Sequence, residues 1–174
     1  MTQPVGHGEG LVPYAITLPT SPFDGQEAIL VDSVTFPQFI WRFRYNGKSS
    51  SSYKWEFIGG SPYFARPSNF TASVQNAWRI QNNFVAPRDG QYFIQVGARM
   101  SGNGSVYISP ATTSDQQGEL AGIGSPTAAV DLGASVSGVL FCAASNLIGI
   151  AHWAGGTVGQ FNAQTLSVIP QTLA

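Results

Sequence analysis

Phe39-Ile40-Trp41-Arg42-Phe43-Arg44-Tyr45 alternates along its whole length between aromatic and other side chains. In an extended strand successive side chains point to opposite faces, so Phe39, Trp41, Phe43 and Tyr45 share one face and the two arginines the other. A helix would scatter the four rings around its circumference. Past Asn46-Gly47-Lys48-Ser49-Ser50-Ser51-Ser52 the pattern returns in Tyr53-Lys54-Trp55-Glu56-Phe57, with Tyr53, Trp55 and Phe57 on one side and Lys54 and Glu56 on the other. The Gly- and Ser-rich connection is flexible, and the two strands are expected to form a hairpin with seven aromatics on one side. On the opposite side Arg42 or Arg44 can pair with Glu56 across the strands.

Two uses of that aromatic face stand at this level. A sheet with one buried face must present such a stripe to a core. Alternatively the face is exposed as a platform on which sugar rings stack, with Trp41, Tyr45, Tyr53 and Trp55 as the glycan or partner contacts.

Outward from the hairpin, short period-two stretches follow at residues 78–80, 83–85, 91–98, 105–108, 139–143, 147–153 and 165–169, separated by turn residues. No window of helix length repeats apolar residues at i, i+3, i+4 and i+7, and the spacing predicts an antiparallel sandwich. Parallel α/β folds and their nucleotide sites drop out. Residues 136–156 carry no formal charge and are long enough to cross a bilayer, yet Ser137, Ser145, Asn146, His152 and several glycines interrupt them. Two strands joined by a turn at Ala144-Ser145-Asn146 fit better, and no membrane insertion is expected.

In the other direction Pro4, Pro13, Pro19 and Pro22, with Gly6, Gly8 and Gly10, forbid a continuous helix over residues 1–22. This reads as an extended arm. Leu11, Val12, Tyr14, Ile16 and Leu18 give it apolar surface to bury, either along a neighbouring protein as a docking arm or as an edge strand of its own domain.

Of 174 residues, 43% are hydrophobic and 10% charged, whereas soluble domains devote about 25% to charge. Much of the exterior must be uncharged polar residues or be covered by another chain. Eight basic and nine acidic residues give net charge -1, which supplies no cationic field for a nucleic-acid backbone or an anionic membrane. From residue 120 to 174 the single formal charge is Asp131. An uncharged surface of that size is best hidden in a homo-oligomer.

Chemical motifs are looked for in vain. Cys142 has no second thiol for a disulfide or a zinc site and reads as a small buried hydrophobe. Gly6-His7-Gly8-Glu9-Gly10 and Gly102-Asn103-Gly104 lack the lysine of a phosphate loop, and Gly133-Ala134-Ser135-Val136-Ser137-Gly138 has Ser137 where a nucleophile elbow needs glycine. His7 lies in the arm and His152 on an apolar strand, so no triad assembles. Asp24-Gly25 and Asp89-Gly90 are turn dipeptides, and no carboxylate pair or calcium loop stands out. No catalytic residue, metal or cofactor is expected. The start of the chain shows no basic region followed by an apolar stretch, so synthesis in a cytoplasm without secretion is expected.

Leu18-Pro19-Thr20-Ser21-Pro22-Phe23-Asp24-Gly25-Gln26-Glu27, followed by Trp41-Arg42-Phe43-Arg44-Tyr45-Asn46 and Tyr53-Lys54-Trp55-Glu56-Phe57-Ile58-Gly59-Gly60, resembles a module in small virion proteins of tailed bacteriophages. Downstream, Phe84-Val85-Ala86-Pro87-Arg88-Asp89-Gly90-Gln91-Tyr92-Phe93-Ile94-Gln95-Val96 and the closing residues 161–170 are similar to the strand and turn pattern of C1q/TNF-like jelly rolls. The resemblances imply an all-β chain. An arm at residues 1–22 and an aromatic hairpin module at 23–64 would precede an antiparallel jelly-roll β-sandwich at 65–174. They further imply a homotrimer, each sandwich packing its flat face on a threefold axis. The function they imply is that of a non-enzymatic structural protein on the virion surface, made in the host bacterial cytoplasm. A tail-associated minor tail, fibre or tip protein used in assembly and host adhesion comes first, and a capsid decoration or head-fibre protein is the alternative. A glycan-binding module or polysaccharide depolymerase stands further off. Other virion proteins, met through the arm, and a host surface glycan or protein are the implied partners.

Overall fold

The computed structural model describes residues 12–72, 78–101, 104–112, 121–125, 132–155 and 159–174. Every regular element among them is a strand: β1 (Tyr14–Ala15), β2 (Glu27–Val31), β3 (Ile40–Tyr45), β4 (Trp55–Ser61), β5 (Tyr63–Ala65), β6 (Phe70–Ala72), β7 (Trp78–Val85), β8 (Gly90–Ser101), β9 (Gly104–Thr112), β10 (Ala121–Ser125), β11 (Leu132–Cys142), β12 (Leu147–Ala154) and β13 (Gly159–Leu173). The larger sheet runs β1-β2-β3-β4-β13-β8-β11, with β5 and β6 also paired to β13, and the smaller runs β10-β9-β12-β7. From β7 onward the chain passes repeatedly from one sheet to the other, which gives an antiparallel jelly-roll-like sandwich.

The stretches expected at 78–80 and 83–85 are one strand, and β8, β9, β11 and β13 extend well beyond their apolar centres. Serine, threonine and glutamine fill many outward positions, so period-two hydrophobicity stops before the ladder does. Ala144-Ser145-Asn146 is a turn, with Asn146 N donating to Ala143 O at 3.1 Å and Ser145 at φ 67°. It carries the chain between sheets, since β11 pairs with β8 and β12 with β7 and β9.

The hairpin forms, with Tyr45 opposite Trp55, Arg44 opposite Glu56 and Phe43 opposite Phe57. A bulge follows, and Gly60 sits at φ +123° with Ile40 O only 1.9 Å from where a Cβ would stand. Only glycine lets the two backbones approach so closely there.

Strand pairing and core packing join the hairpin to the strands that follow it. β2 pairs with β3 on one side, while β4 pairs with β13 through Glu56 to Thr172 and Trp55 to Leu173. One core cluster joins Leu30, Trp41, Phe43 and Trp55 to Tyr92, Ile94, Val96 and Leu166 of the same sheet and to Ile108, Ile148 and Ile150 of the other. Trp41 stacks on Phe39, ring centroids 3.9 Å apart and planes 24° from parallel.

Candidate functional site

The four aromatics singled out in the sequence do not form a common exposed platform. Trp41 and Trp55 are 0% and 2% exposed, so neither offers a ring face to a sugar. Tyr45 is half-buried and meets Trp55 edge-on at 5.2 Å. Tyr53, also half-buried, lies against Phe141 of β11 at 5.7 Å.

The arm residues divide as well. Tyr14 and Ala15 pair in parallel with Ile29 and Leu30, which makes this part of the arm an edge strand of its own sheet. Leu18 is 2% exposed and belongs to the core, its carbonyl accepting from Arg88 Nη2 at 3.3 Å. Val12 is half-buried, whereas Tyr14 and Ile16 are exposed. Leu11 lies outside the described residues.

Within the larger sheet, β2, β3 and β4 carry Glu27, Arg42, Arg44 and Glu56. Glu27 accepts from Arg42 Nε at 3.0 Å and from Arg44 Nη2 at 2.9 Å. The expected Arg42 or Arg44 to Glu56 pair does not form, and Glu56 instead accepts from Asn46 Nδ2 at 2.8 Å. β2 lies on the other side of β3 and sets Glu27 directly opposite Arg44, a competition that a two-stranded reading could not contain. Hydrogen bonds from Arg44 and then Arg42 hold the Glu27 carboxyl below its ordinary value.

The half built from β13, β8 and β11 is different in chemistry. Val139, Phe93 and Ile169 stand in register across the three strands, as do Ser137, Gln95 and Ser167. Val139 is 55% exposed and Phe141 and Phe64 are both 54% exposed. Arg99, opposite Gly133 at one end, is the only charge that β8, β11 or β13 carries. Sequence reasoning registered the missing charge but not this surface, because the residues that build it are brought side by side by pairing between distant strands.

Polar groups inside the sandwich are structural. His152 is fully buried between Phe70 and Phe161, ring centroids 4.5 and 4.6 Å away, with Nε2 2.6 Å from Gln164 Oε1. Gln164 Nε2 donates in turn to Gln81 Oε1 at 3.0 Å. Cys142 is buried, and that burial, reinforced by the Asp89 carboxylate, pushes its thiol up to about 11, far from a reactive thiolate. Asp89 Oδ1 accepts from Ala144 N at 2.6 Å and so fastens two turns together. Among the described residues no three His, Cys, Asp or Glu side chains stand close enough to hold a metal ion. A cleft of about 410 Å³ opens between Ile16, Asp32, Gln38 and Val85, but its aromatic wall of Phe39, Tyr63 and Phe84 is almost wholly covered.

No protein-family model matches the chain, and no curated protein does. Among solved structures it is similar to the isomalto-dextranase of Arthrobacter globiformis T6 complexed with panose, at 14% identity and a TM-score of 0.26. That match covers 83% of this chain and spans 24% of the enzyme's length. A likeness of this size carries no assignment.

Proposed function

We propose that this chain is a non-enzymatic structural protein of a bacteriophage particle surface, working through self-association and adhesion. The observation that carries the reading is the outward face of β13, β8 and β11, where an in-register apolar row lies within a field of Ser, Thr, Gln and Gly. A face of that composition is suited to burial against another copy, because few charges must be desolvated there. The jelly-roll order of the strands and the phage-like Asp24-Gly25-Gln26-Glu27 and Tyr53-to-Gly60 segments support the same reading. A homotrimer is the order that the C1q/TNF resemblance implies, and tail attachment is favoured over capsid decoration by the phage-like segments.

Adhesion to a host glycan would have to use residues other than Trp41 and Trp55, whose rings are closed off. Light scattering of the purified chain at micromolar concentration tests self-association, with a mass near 18.5 kDa as the outcome that would sink it. Locating the chain in a density map of intact particles tests the virion assignment separately.

A further inference from the structure

β11 is the outermost strand of the larger sheet. β8 pairs along one of its edges without any shift of register, and among the described residues no strand pairs along the other. Edge strands in natural proteins are usually short, bulged, or guarded by lysine or proline. This one is eleven residues long and contains no charge and no proline. Among the described residues its outer edge therefore presents backbone N–H and C=O groups, and β11 itself carries no charge or proline to deter a further strand.

We infer that the edge is completed by β11 of a second copy, antiparallel, about a two-fold axis at Ser137. Residues equidistant from Ser137 would then stand opposite each other. Gly133 faces Phe141, Ala134 faces Leu140, Ser135 faces Val139 and Gly138 faces Val136, so each large side chain meets a small one. A Cβ added at Gly133 meets nothing within 4 Å, which leaves open space for the partner's Phe141, a ring 54% exposed in the single chain. No like charges are brought together, and the contact is isologous and closes on itself.

The edge contact does not rest on the phage reading. It is also distinct from packing through the flat face, and a threefold assembly built on that face would be joined in pairs by it.

Directly opposed residues in an antiparallel pair have Cα atoms about 4.5–5.5 Å apart, within the span of about 4.4–6.8 Å that a disulfide tolerates. Ser137 is exposed and is the residue that faces itself. Under oxidised glutathione Ser137→Cys is expected to yield a covalent dimer at twice the chain mass of 18.5 kDa. Ser135→Cys, equally exposed on the same face, should give about tenfold less because its opposite is Val139. Adding Val139→Cys to it should restore the cross-link. As a measurement independent of disulfide chemistry, Ser137→Lys and Ser137→Glu should each lose the edge contact and recover it when mixed. Equal cross-linking of the two single cysteine variants, or no recovery on mixing, would overturn the inference. A wild-type oligomer of unchanged mass with no Ser137→Cys cross-link would remove the edge contact and leave the proposed function standing. Absence of the chain from virions would do the reverse.

Discussion

His152 of β12 and Gln164 of β13 meet at 2.6 Å between Nε2 and Oε1, a hydrogen bond that joins the two sheets through the middle of the sandwich. The acceptor is the amide oxygen, because Gln164 Nε2 donates to Gln81 Oε1 and to the Ser68 carbonyl, so His152 donates from Nε2. Gln164 lies where β13 shifts register between Asn162 and Thr165, beside Ala163 at φ 47°. The bulge turns a polar side chain inward, where buried His152, half-buried Gln81 and the Ser68 carbonyl receive it. Gln164→Ala should lose about 1–3 kcal/mol of unfolding free energy in urea, the cost of removing its hydrogen bonds to His152, Gln81 and Ser68. Gln160→Ala, exposed on the same strand, should change it by less than about 0.5 kcal/mol.

Trp41 packs against Phe39, Phe84 and Tyr92 with no exposure at all. Trp41→Ala is expected to cost about 3–5 kcal/mol by equilibrium denaturation, and Trp55→Ala a similar amount. Tyr53→Ala, half-buried against Phe141, should cost much less. Equal and small losses at all three positions would mean that the aromatic face is not core.

The Glu27 carboxyl is held below its ordinary value of 4.5 in the folded chain. Its contribution to stability is therefore fully present above that value, and it is lost as pH falls through the lower folded value. The melting temperature of the wild type should exceed that of Glu27→Gln near neutral pH, and the difference should shrink steadily on acidification below 4.5. Both arginines are more than half exposed, so added salt should narrow the gap as well. A gap that widens in acid would contradict the assignment.

Leu18 and the residues before it should separate experimentally. Leu18→Ala removes a core side chain and is expected to cost about 2–5 kcal/mol. Deleting residues 1–17 removes the two-residue strand β1 and exposed Ile16 but keeps Leu18, so the sandwich should remain folded with a modest fall in melting temperature. If the exposed part of the arm docks on a neighbouring virion protein, the truncated chain should also fail to enter particles. Normal incorporation would place docking elsewhere on the sandwich.

Strand alternation around Trp41 and Trp55 was legible because a half-buried strand repeats every two residues, and a seven-residue stretch holds enough repeats to exclude a helix. All-β character, the hairpin and the turn at 144–146 follow from such local rules. The partner of Arg42 and Arg44 was not legible: Glu56 and Glu27 are equally good acids in the sequence, and only the placement of β2 beside β3 decides between them. The pairing of the hairpin with the C-terminal strand was not legible for a related reason. Thr172 and Leu173 lie more than a hundred residues from Glu56 and Trp55, and no local signal announces that they pair.

By itself the sequence determined which side chains face together along each strand, the scarcity of charge after residue 120 and the absence of any recognised catalytic motif, because these depend on residue type and spacing alone. The tertiary structure decided which strands are neighbours, and through that it placed the apolar row Val139, Phe93 and Ile169, the buried bridge from His152 to Gln164 and β11 as the outermost described strand of its sheet. Those features belong to pairs of residues distant in the chain, and their juxtaposition is fixed only when both sheets close over one core.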